Sequence, residues 1–284
     1  MTLFAGPGVI DAHVHVASDD ETRYPRHPTG VASDWWRRGR YEVDDVLGTL
    51  THAGVGQMVM VQAVGAYDDD NRYVVDMAAQ YPESVRAVVI VDPGAPGAAA
   101  AITELGAHGG VSGVRCMAVR PSATWVGTTR IDEAFESAAD GGLTMVLTVF
   151  PPHLRSLRPV IERFPAVPVV LDHGAFPTMA GPIMEADSPL RALVDLPQVT
   201  VKITSHNLVP LAEMGGARPF VEQLVGWFGP HRLLWGSDYP QTAHASYAGL
   251  VDVAVEAFAD LAPGDLAAVF GGNTRRLFAF APGD

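Results

Sequence analysis

Hydrophobic positions along the chain form short, nearly continuous runs that alternate with longer segments of mixed polarity. Eight runs rich in Val, Ile and Leu predict strands, at residues 9–16, 56–64, 86–91, 111–119, 143–150, 167–171, 199–204 and 233–237. The segments between them predict helices at residues 42–53, 71–81, 98–108, 131–139, 154–164, 190–196 and 212–228, and two further helices at 247–261 and 265–278 close the chain.

This alternation predicts the fold class. Strands that are apolar throughout are typical of parallel strands covered by helices. Eight such units in 284 residues fit a single (β/α)₈ barrel domain over residues 1–284, in a distorted TIM-barrel form. The alternative is an open doubly wound sheet, but such a sheet usually carries a glycine-rich phosphate-binding turn after its first strand. Here the first strand ends in His13-Val14-His15.

The longest irregular segment covers residues 17–40 and contains Trp35 and Trp36. It follows the first strand, so in a barrel it lies at the active-site end. We expect it to be either a lid or wall of the substrate site, or a surface loop whose aromatic rings pack on the rim.

Composition excludes several partners. With 19 Lys and Arg against 32 Asp and Glu, the net charge is −13. Nucleic acid and anionic membrane surfaces are therefore not expected partners. The expected partner is a small-molecule substrate. The single cysteine, Cys116, allows no internal disulfide or thiolate zinc site and fits a cytoplasmic location. Any metal must be held by histidine and carboxylate. A homodimer is expected from the precedent of other barrels.

Two histidines at the end of the first strand are candidates for chemistry. His13 and His15 are two residues apart, so both side chains face the same way, into the barrel mouth. They could serve one metal ion or one substrate, or be a hydrogen-bonded pair in the core. Asp11 is predicted to share their face one step deeper and to hold an imidazole tautomer.

Two other strand ends supply similar groups. His173 ends the sixth strand after Asp172, and Asp238 ends the eighth. A charge directly after a buried strand is costly unless it is paired, hydrogen-bonded or metal-bound, although it can also cap a loop. Three strand ends at the C-terminal face, each carrying His or Asp, together favour an active site formed by Asp238, His173, His13 and His15.

These motifs resemble the amidohydrolase superfamily, in the amidohydrolase-2 branch that includes 2-pyrone-4,6-dicarboxylate lactonase, sugar lactonases and some decarboxylases. The resemblance is carried by residues 9–15, 113–115, 170–174 and 234–240, in an order and spacing that span the whole chain. It implies a distorted (β/α)₈ barrel that hydrolyses or decarboxylates small cyclic or aromatic acids.

The resemblance also bears on the cofactor. It implies that His13, His15 and Asp238 hold one Zn²⁺ or another divalent ion, with His173 as a fourth ligand or as an acid. The chain departs from the metal-dependent members at the end of the fifth strand, where Thr148 and its neighbours replace a histidine. A metal-free mechanism, which the resemblance also permits, therefore remains open. A binuclear centre with a carboxylated lysine is disfavoured, because Lys202 belongs to the seventh strand.

Candidate substrate-binding residues are mostly basic. Arg115 and Arg120 flank the end of the fourth strand and could grip a substrate carboxylate. Lys202 and His206 bracket the end of the seventh strand, where Lys202 could equally neutralise Asp172 or Asp238 inside the barrel. Tyr239 follows Asp238 and is the last candidate.

We therefore expect a hydrolase that opens a small, carboxylate-bearing lactone, with Asp238 as the base that activates water. Two alternatives belong to other classes. One is metal-dependent, non-oxidative decarboxylation of an aromatic or enoic acid, and the other is a barrel that binds a ligand without catalysis.

Overall fold

A computed structural model describes residues 8–31, 34–119, 124–177, 188–242 and 246–281. It contains eight strands: β1 (Ile10–Val14), β2 (Gln57–Val61), β3 (Val85–Ile90), β4 (Val111–Ala118), β5 (Thr144–Val149), β6 (Val169–Leu171), β7 (Val199–Thr204) and β8 (Leu233–Gly236). Each strand pairs in parallel with the next, in the order β1 to β8. All eight predicted strands and the (β/α)₈ barrel are confirmed.

Strands β8 and β1 meet at a seam held by individual hydrogen bonds. The Asp238 N–H donates to the His13 carbonyl and the His15 N–H donates to the Tyr239 carbonyl, each at 2.8 Å. The Asp11 carboxylate adds to the seam by accepting the N–H groups of His13 at 3.0 Å and Ser237 at 2.9 Å. These contacts bring the ends of the first and last strands side by side.

Helices follow the strands and cover the outside of the barrel. They are α1 (Val43–His52), α2 (Val64–Tyr67), α3 (Arg72–Gln80), α4 (Ala98–Gly106), α5 (Arg130–Asp140), α6 (Pro151–Arg163), α7 (Ser205–Glu213), α8 (Ala217–Phe228), α9 (Tyr247–Ala257), α10 (Pro263–Ala267) and α11 (Asn273–Leu277). None of the helices in these described ranges has the length and apolar character needed to cross a bilayer.

Three predicted helices differ from the structure. The segment predicted as one helix at 212–228 holds the end of α7 and all of α8, because Gly215 takes a left-handed φ of +70° that ends the first helix. The segment at 190–196 is a short 3₁₀ turn that starts at Pro189. The closing segment at 265–278 is divided by a π-helical stretch, Ala268–Gly272, between α10 and α11.

The barrel interior is a packed apolar layer. Inward side chains of the strands, including Ile10, Val88, Val146 and Leu234, are fully buried and pack with Phe278 near the end of the chain. This layer excludes water from below. Polar side chains at the C-terminal ends of the strands are therefore solvated only from the mouth of the barrel.

Candidate active site

Asp238 lies where β8 opens into its loop, and it is buried to 1% exposure. Its backbone is left-handed, with φ of +56°, a conformation that Asp tolerates better than most residues. Oδ1 of its carboxylate lies 3.2 Å from Nε2 of His15 and 3.6 Å from Nε2 of His13. Two imidazoles from β1 and its loop therefore converge on one carboxylate across the seam.

The proton position on His15 follows from its neighbours. Nδ1 of His15 lies 2.8 Å from the Val61 carbonyl, which can only accept, so Nδ1 carries the hydrogen. In the neutral ring Nε2 then presents a lone pair to the Asp238 carboxylate. Two acceptors at this distance repel each other unless a proton or a cation lies between them.

His173 approaches from β6. Its backbone is also left-handed, with φ of +53°, and the Asn207 amide donates to its carbonyl at 2.9 Å. Nδ1 lies 2.7 Å from Oγ1 of Thr204. One ligand atom each from His13, His173 and Asp238 lies within 4.8 Å of the others, and all three residues are buried.

The donor atoms at this point fit a divalent cation. Both ring nitrogens of His13 and Oδ1 of Asp238 are buried without a hydrogen-bond partner among the described residues. Unpaired buried polar atoms are costly, and here Nε2 of His13 faces Oδ1 of Asp238 at 3.6 Å. Imidazole nitrogen and carboxylate oxygen are the donors that Zn²⁺ accepts at a single-metal site. The chain therefore offers the ligands for one divalent ion.

The protonation states of the histidines and of Asp238 agree with binding of a divalent ion. Burial holds the pKa of His13 and that of His173 well below the usual range, so both rings are neutral at pH 7. Burial would raise the pKa of Asp238, but the neighbouring His15 and His173 outweigh it and the pKa is lowered. Neutral imidazoles beside an ionised carboxylate are the forms that bind a metal.

Asp172 is the carboxylate beneath His13. Its Oδ1 lies 2.8 Å from Nζ of Lys202 and 3.5 Å from Nδ1 of His13, and its Oδ2 lies 2.8 Å from Nε of Arg115. The Thr148 hydroxyl donates to Oδ2 at 2.9 Å. Burial raises the pKa of Asp172, but Lys202 and Arg115 outweigh it and hold the pKa well below the usual range.

Asp11 differs from its prediction. It accepts the backbone N–H groups of the seam and, at 3.1 Å, the Tyr247 hydroxyl from α9, but no imidazole of the residues that the structure describes. The reason is an irregularity in β1 between Asp11 and Val14, which breaks the simple alternation of faces. Asp172, not Asp11, is the carboxylate that faces a histidine ring nitrogen from below.

A cavity of about 460 Å³ opens above these groups, within the size range of small-molecule sites. Its polar lining comes from His15, Arg115, Thr148, His173, His206 and Gln241, and its apolar lining includes Val31, Val64, Met117, Val119, Phe150 and Phe176. A small cyclic substrate can therefore rest against an apolar wall while its reacting bond faces His15 and His173.

The structure separates the predicted substrate-binding residues. Arg115 and His206 line the cavity. Lys202 is fully buried beneath it, in the pairing with Asp172 that its sequence position left open. Tyr239 packs its ring against Tyr247, with centroids 5.4 Å apart, and is not part of the cavity lining described above. Arg120 lies outside the described residues.

Sequence reasoning missed several residues of the site. Thr148 bridges Arg115 and Asp172, Thr204 supports His173, and Gln241 lines the cavity. Trp35 was not missed, since it belongs to the segment 17–40 that the sequence predicts to lie at the active-site end, and it stacks on His15 with ring centroids 6.0 Å apart. Threonine is common in strands, so Thr148 and Thr204 carry no separate signal in one sequence.

The described part of the segment 17–40 is tied to the barrel. The Ala17 N–H donates to the Tyr41 carbonyl at 2.8 Å, and the His27 N–H donates to the Ala66 carbonyl at 2.7 Å. Trp35 is buried to 1% exposure. These contacts favour a fixed wall of the site over a lid, and the lid stays a prediction.

A parallel (β/α)₈ barrel with histidines after its first and sixth strands and an aspartate after its eighth defines a class of enzymes whose chemistry takes place at the C-terminal mouth. Within that class the chain belongs to the amidohydrolase family Amidohydro_2, whose sequence profile matches residues 10–280. The expected family is thus confirmed, and the chain is an enzyme of the amidohydrolase type.

Individual relatives cover nearly the whole chain. L-fucono-1,5-lactonase of Burkholderia ambifaria is 29% identical over 283 residues, which is 95% of this chain and 94% of that protein. A candidate 2-pyrone-4,6-dicarboxylic acid hydrolase from Pseudomonas putida shares the fold with a TM-score of 0.76 at 24% identity, covering 98% of this chain and 100% of that one. An amidohydrolase from Burkholderia multivorans with bound zinc has a TM-score of 0.76 at 22% identity, covering 95% and 99%.

Proposed function

We propose that this enzyme hydrolyses a small lactone at the barrel mouth. The observation that carries the proposal is the convergence of His13, His15 and His173 on the Asp238 carboxylate beneath the cavity. The similarity to L-fucono-1,5-lactonase supports the same reaction class. The zinc in the Burkholderia multivorans relative supports zinc as the ion that these ligands hold.

The residues that would hold the ion are His13, His15, His173 and Asp238. A cation between their facing acceptor atoms would remove the repulsion between those atoms. When bound, a divalent cation supplies polarisation of the lactone carbonyl and a lower pKa for a water molecule. His15 and His173 are fixed for this purpose, since each has its Nδ1 occupied by a neighbour, the Val61 carbonyl and the Thr204 hydroxyl.

Asp238 acts as the base. Its carboxylate takes a proton from water, the water oxygen forms a bond to the carbonyl carbon, and the ring C–O bond then breaks. The proton on Asp238 passes to the leaving ring oxygen, which becomes a hydroxyl. The other product end is a carboxylic acid, which keeps the second water proton and releases it to solvent at neutral pH to become a carboxylate. Because the pKa of Asp238 is lowered, the base is ionised at neutral pH and ready for each turnover.

Arg115 is the one arginine or lysine among the described residues that line the cavity, and its charge is balanced by Asp172 at 2.8 Å. It is therefore a weaker anchor for a substrate carboxylate than a free guanidinium would be. We infer that Arg115, His206 and Gln241 hydrogen-bond the oxygen atoms of a lactone. We expect uncharged lactones to be turned over at least as well as carboxylate-bearing ones.

The test is to measure the hydrolysis of L-fucono-1,5-lactone and related six-membered lactones through the protons that the reaction releases at constant pH. The Asp238→Asn variant keeps the left-handed backbone, which Asn also tolerates, so it folds. We expect it to lose about 10²- to 10⁴-fold in kcat. Near-wild-type turnover by this variant would remove Asp238 from the reaction, and release of CO₂ from aromatic acids without lactone hydrolysis would favour decarboxylation.

A further inference from the structure

Four side chains form a buried polar cluster at and below the floor of the cavity, and three of them, Asp172, Lys202 and Thr148, have no part in the reaction described above. Asp172, Arg115, Lys202 and Thr148 come from four successive strands or their ends, and all are buried to 3% exposure or less. Two cations and one anion at this depth are expensive unless each is held by a partner. Because this burial is costly, we expect the cluster to serve the site above it.

The two oxygens of Asp172 face different partners. Oδ2 takes Nε of Arg115 at 2.8 Å and the Thr148 hydroxyl at 2.9 Å. Oδ1 faces Nζ of Lys202 at 2.8 Å and Nδ1 of His13 at 3.5 Å. His13 Nδ1 has no hydrogen-bond partner among the described residues, so this carboxylate oxygen is the acceptor in reach.

We propose that Asp172 is the positioning residue of His13: it fixes the Nδ1–H tautomer, so that the Nε2 lone pair faces Asp238, and Arg115 and Lys202 are the buried countercharges that hold the carboxylate in place. Carboxylates behind metal-binding histidines commonly act in this way. This inference rests on the metal site of the proposed function, but not on the identity of the lactone.

An amide at position 172 would reverse the tautomer. A carboxylate has an acceptor for Arg115 and a second one for His13, whereas an amide has one acceptor oxygen and one NH₂ donor. The charged guanidinium takes the oxygen, so the NH₂ group faces His13 and donates to Nδ1. The hydrogen of His13 then moves to Nε2, and the lone pair needed at the site is lost.

The variant that tests this carries two changes, Asp172→Asn with Lys202→Met. Together they remove one buried charge of each sign, so the net charge of the cluster is kept. Lys202→Met alone keeps Asp172 and serves as the first control. Thr144→Val, which removes a buried hydroxyl bonded to the Leu277 carbonyl at the other end of β5, is a control for loss of stability alone.

Two readouts need no lactone. The first is the tautomer of His13 in metal-free protein, from long-range ¹H–¹⁵N NMR of ¹⁵N-histidine-labelled chain, with the signal assigned by its absence in His13→Gln. The second is the Zn²⁺ dissociation constant, by competition with a chromophoric chelator. We expect Nδ1–H in the wild type, Lys202→Met and Thr144→Val, and Nε2–H in the double variant, with Zn²⁺ affinity lowered about 10- to 100-fold there.

The proposal is overturned if wild-type His13 is found as the Nε2–H tautomer, a result that requires no variant to fold. It is also overturned if the double variant keeps both the Nδ1–H tautomer and the Zn²⁺ affinity of Lys202→Met. Absence of lactone hydrolysis together with the expected tautomer and affinities would instead contradict the proposed function and leave the role of Asp172 standing.

Discussion

Each histidine at the candidate site acts through the nitrogen that its neighbour leaves free. The Val61 carbonyl fixes His15, the Thr204 hydroxyl contacts His173, and Asp172 lies behind His13. In every case the supporting group belongs to a different strand or its end. The residue types of the site could therefore be predicted from the sequence, but their protonation and orientation depend on contacts between distant segments.

Buried neutral histidines predict how stability depends on pH. The folded-state pKa of His13 and of His173 lies well below 6.5, so the unfolded chain binds more protons below that pH and stability is lost as the pH falls. Burial raises the pKa of Asp11 from 3.8 to about 6. Its contribution has the opposite sign, since it is present at low pH and lost as the pH rises through about 6.

For metal-free protein we expect the free energy of unfolding to fall by about 1 to 3 kcal/mol per pH unit between pH 6.5 and 5. Urea titrations across this range measure it. His173→Asn should reduce the slope, whereas His108→Gln, which changes an exposed histidine on the surface, should leave it unchanged. A free energy of unfolding that is constant or rises as the pH falls would contradict the protonation states assigned to the site.

At the scale of elements, the seam between β8 and β1 sets the distance between His13 and Asp238. Gly236 ends β8 there, and a Cβ at this position would lie 2.6 Å from Cβ of His13 and 2.8 Å from its backbone nitrogen. The two strands can thus approach this closely because glycine has no side chain.

We expect Gly236→Ala to destabilise the protein by about 1 to 3 kcal/mol and to weaken Zn²⁺ binding, because the seam must widen. The matched control is Gly226→Ala in α8, where a Cβ meets nothing within 4 Å. That change should be neutral or stabilising by up to about 1 kcal/mol. Thermal unfolding and chelator competition compare the two, and equal behaviour would show that the seam tolerates a side chain.

The segment 17–40 gives a second prediction at this scale. If it is a wall, the amides of Ala17 and His27, bonded to the Tyr41 and Ala66 carbonyls, exchange slowly with solvent deuterium. Backbone amides in the exposed turn around Glu21 should exchange faster. Fast exchange at Ala17 and His27 in the substrate-free protein would favour a lid.

Elements of this fold were largely predictable, and the site was predictable in part. The strands are short, nearly continuous apolar runs, and these runs alone predict all eight strands. The division of 212–228 into two helices depends on the backbone conformation of Gly215, and the displaced role of Asp11 depends on the irregularity of β1. Neither can be obtained from an alternation of polar and apolar residues, because both are local departures from regular geometry.

At the scale of the whole molecule, the chain carries a net charge of −13. Among the described residues, the pairing of Arg115 with Asp172 limits how well the barrel mouth can bind an anion. Within the same residues Met214, at 72% exposure, is the large hydrophobic side chain left in solvent. The homodimer stays a prediction, which light scattering coupled to size exclusion checks directly.

We propose that one divalent cation on His13, His15, His173 and Asp238 supports lactone hydrolysis. The most direct measurement is the initial rate of L-fucono-1,5-lactone hydrolysis by chelator-treated, metal-free protein as zinc is added in fractions of an equivalent. We predict a rate that rises in proportion to zinc and reaches its plateau at about one ion per chain, as expected for a single-metal site. Full activity before any zinc is added, or no hydrolysis at any zinc content, would contradict the account.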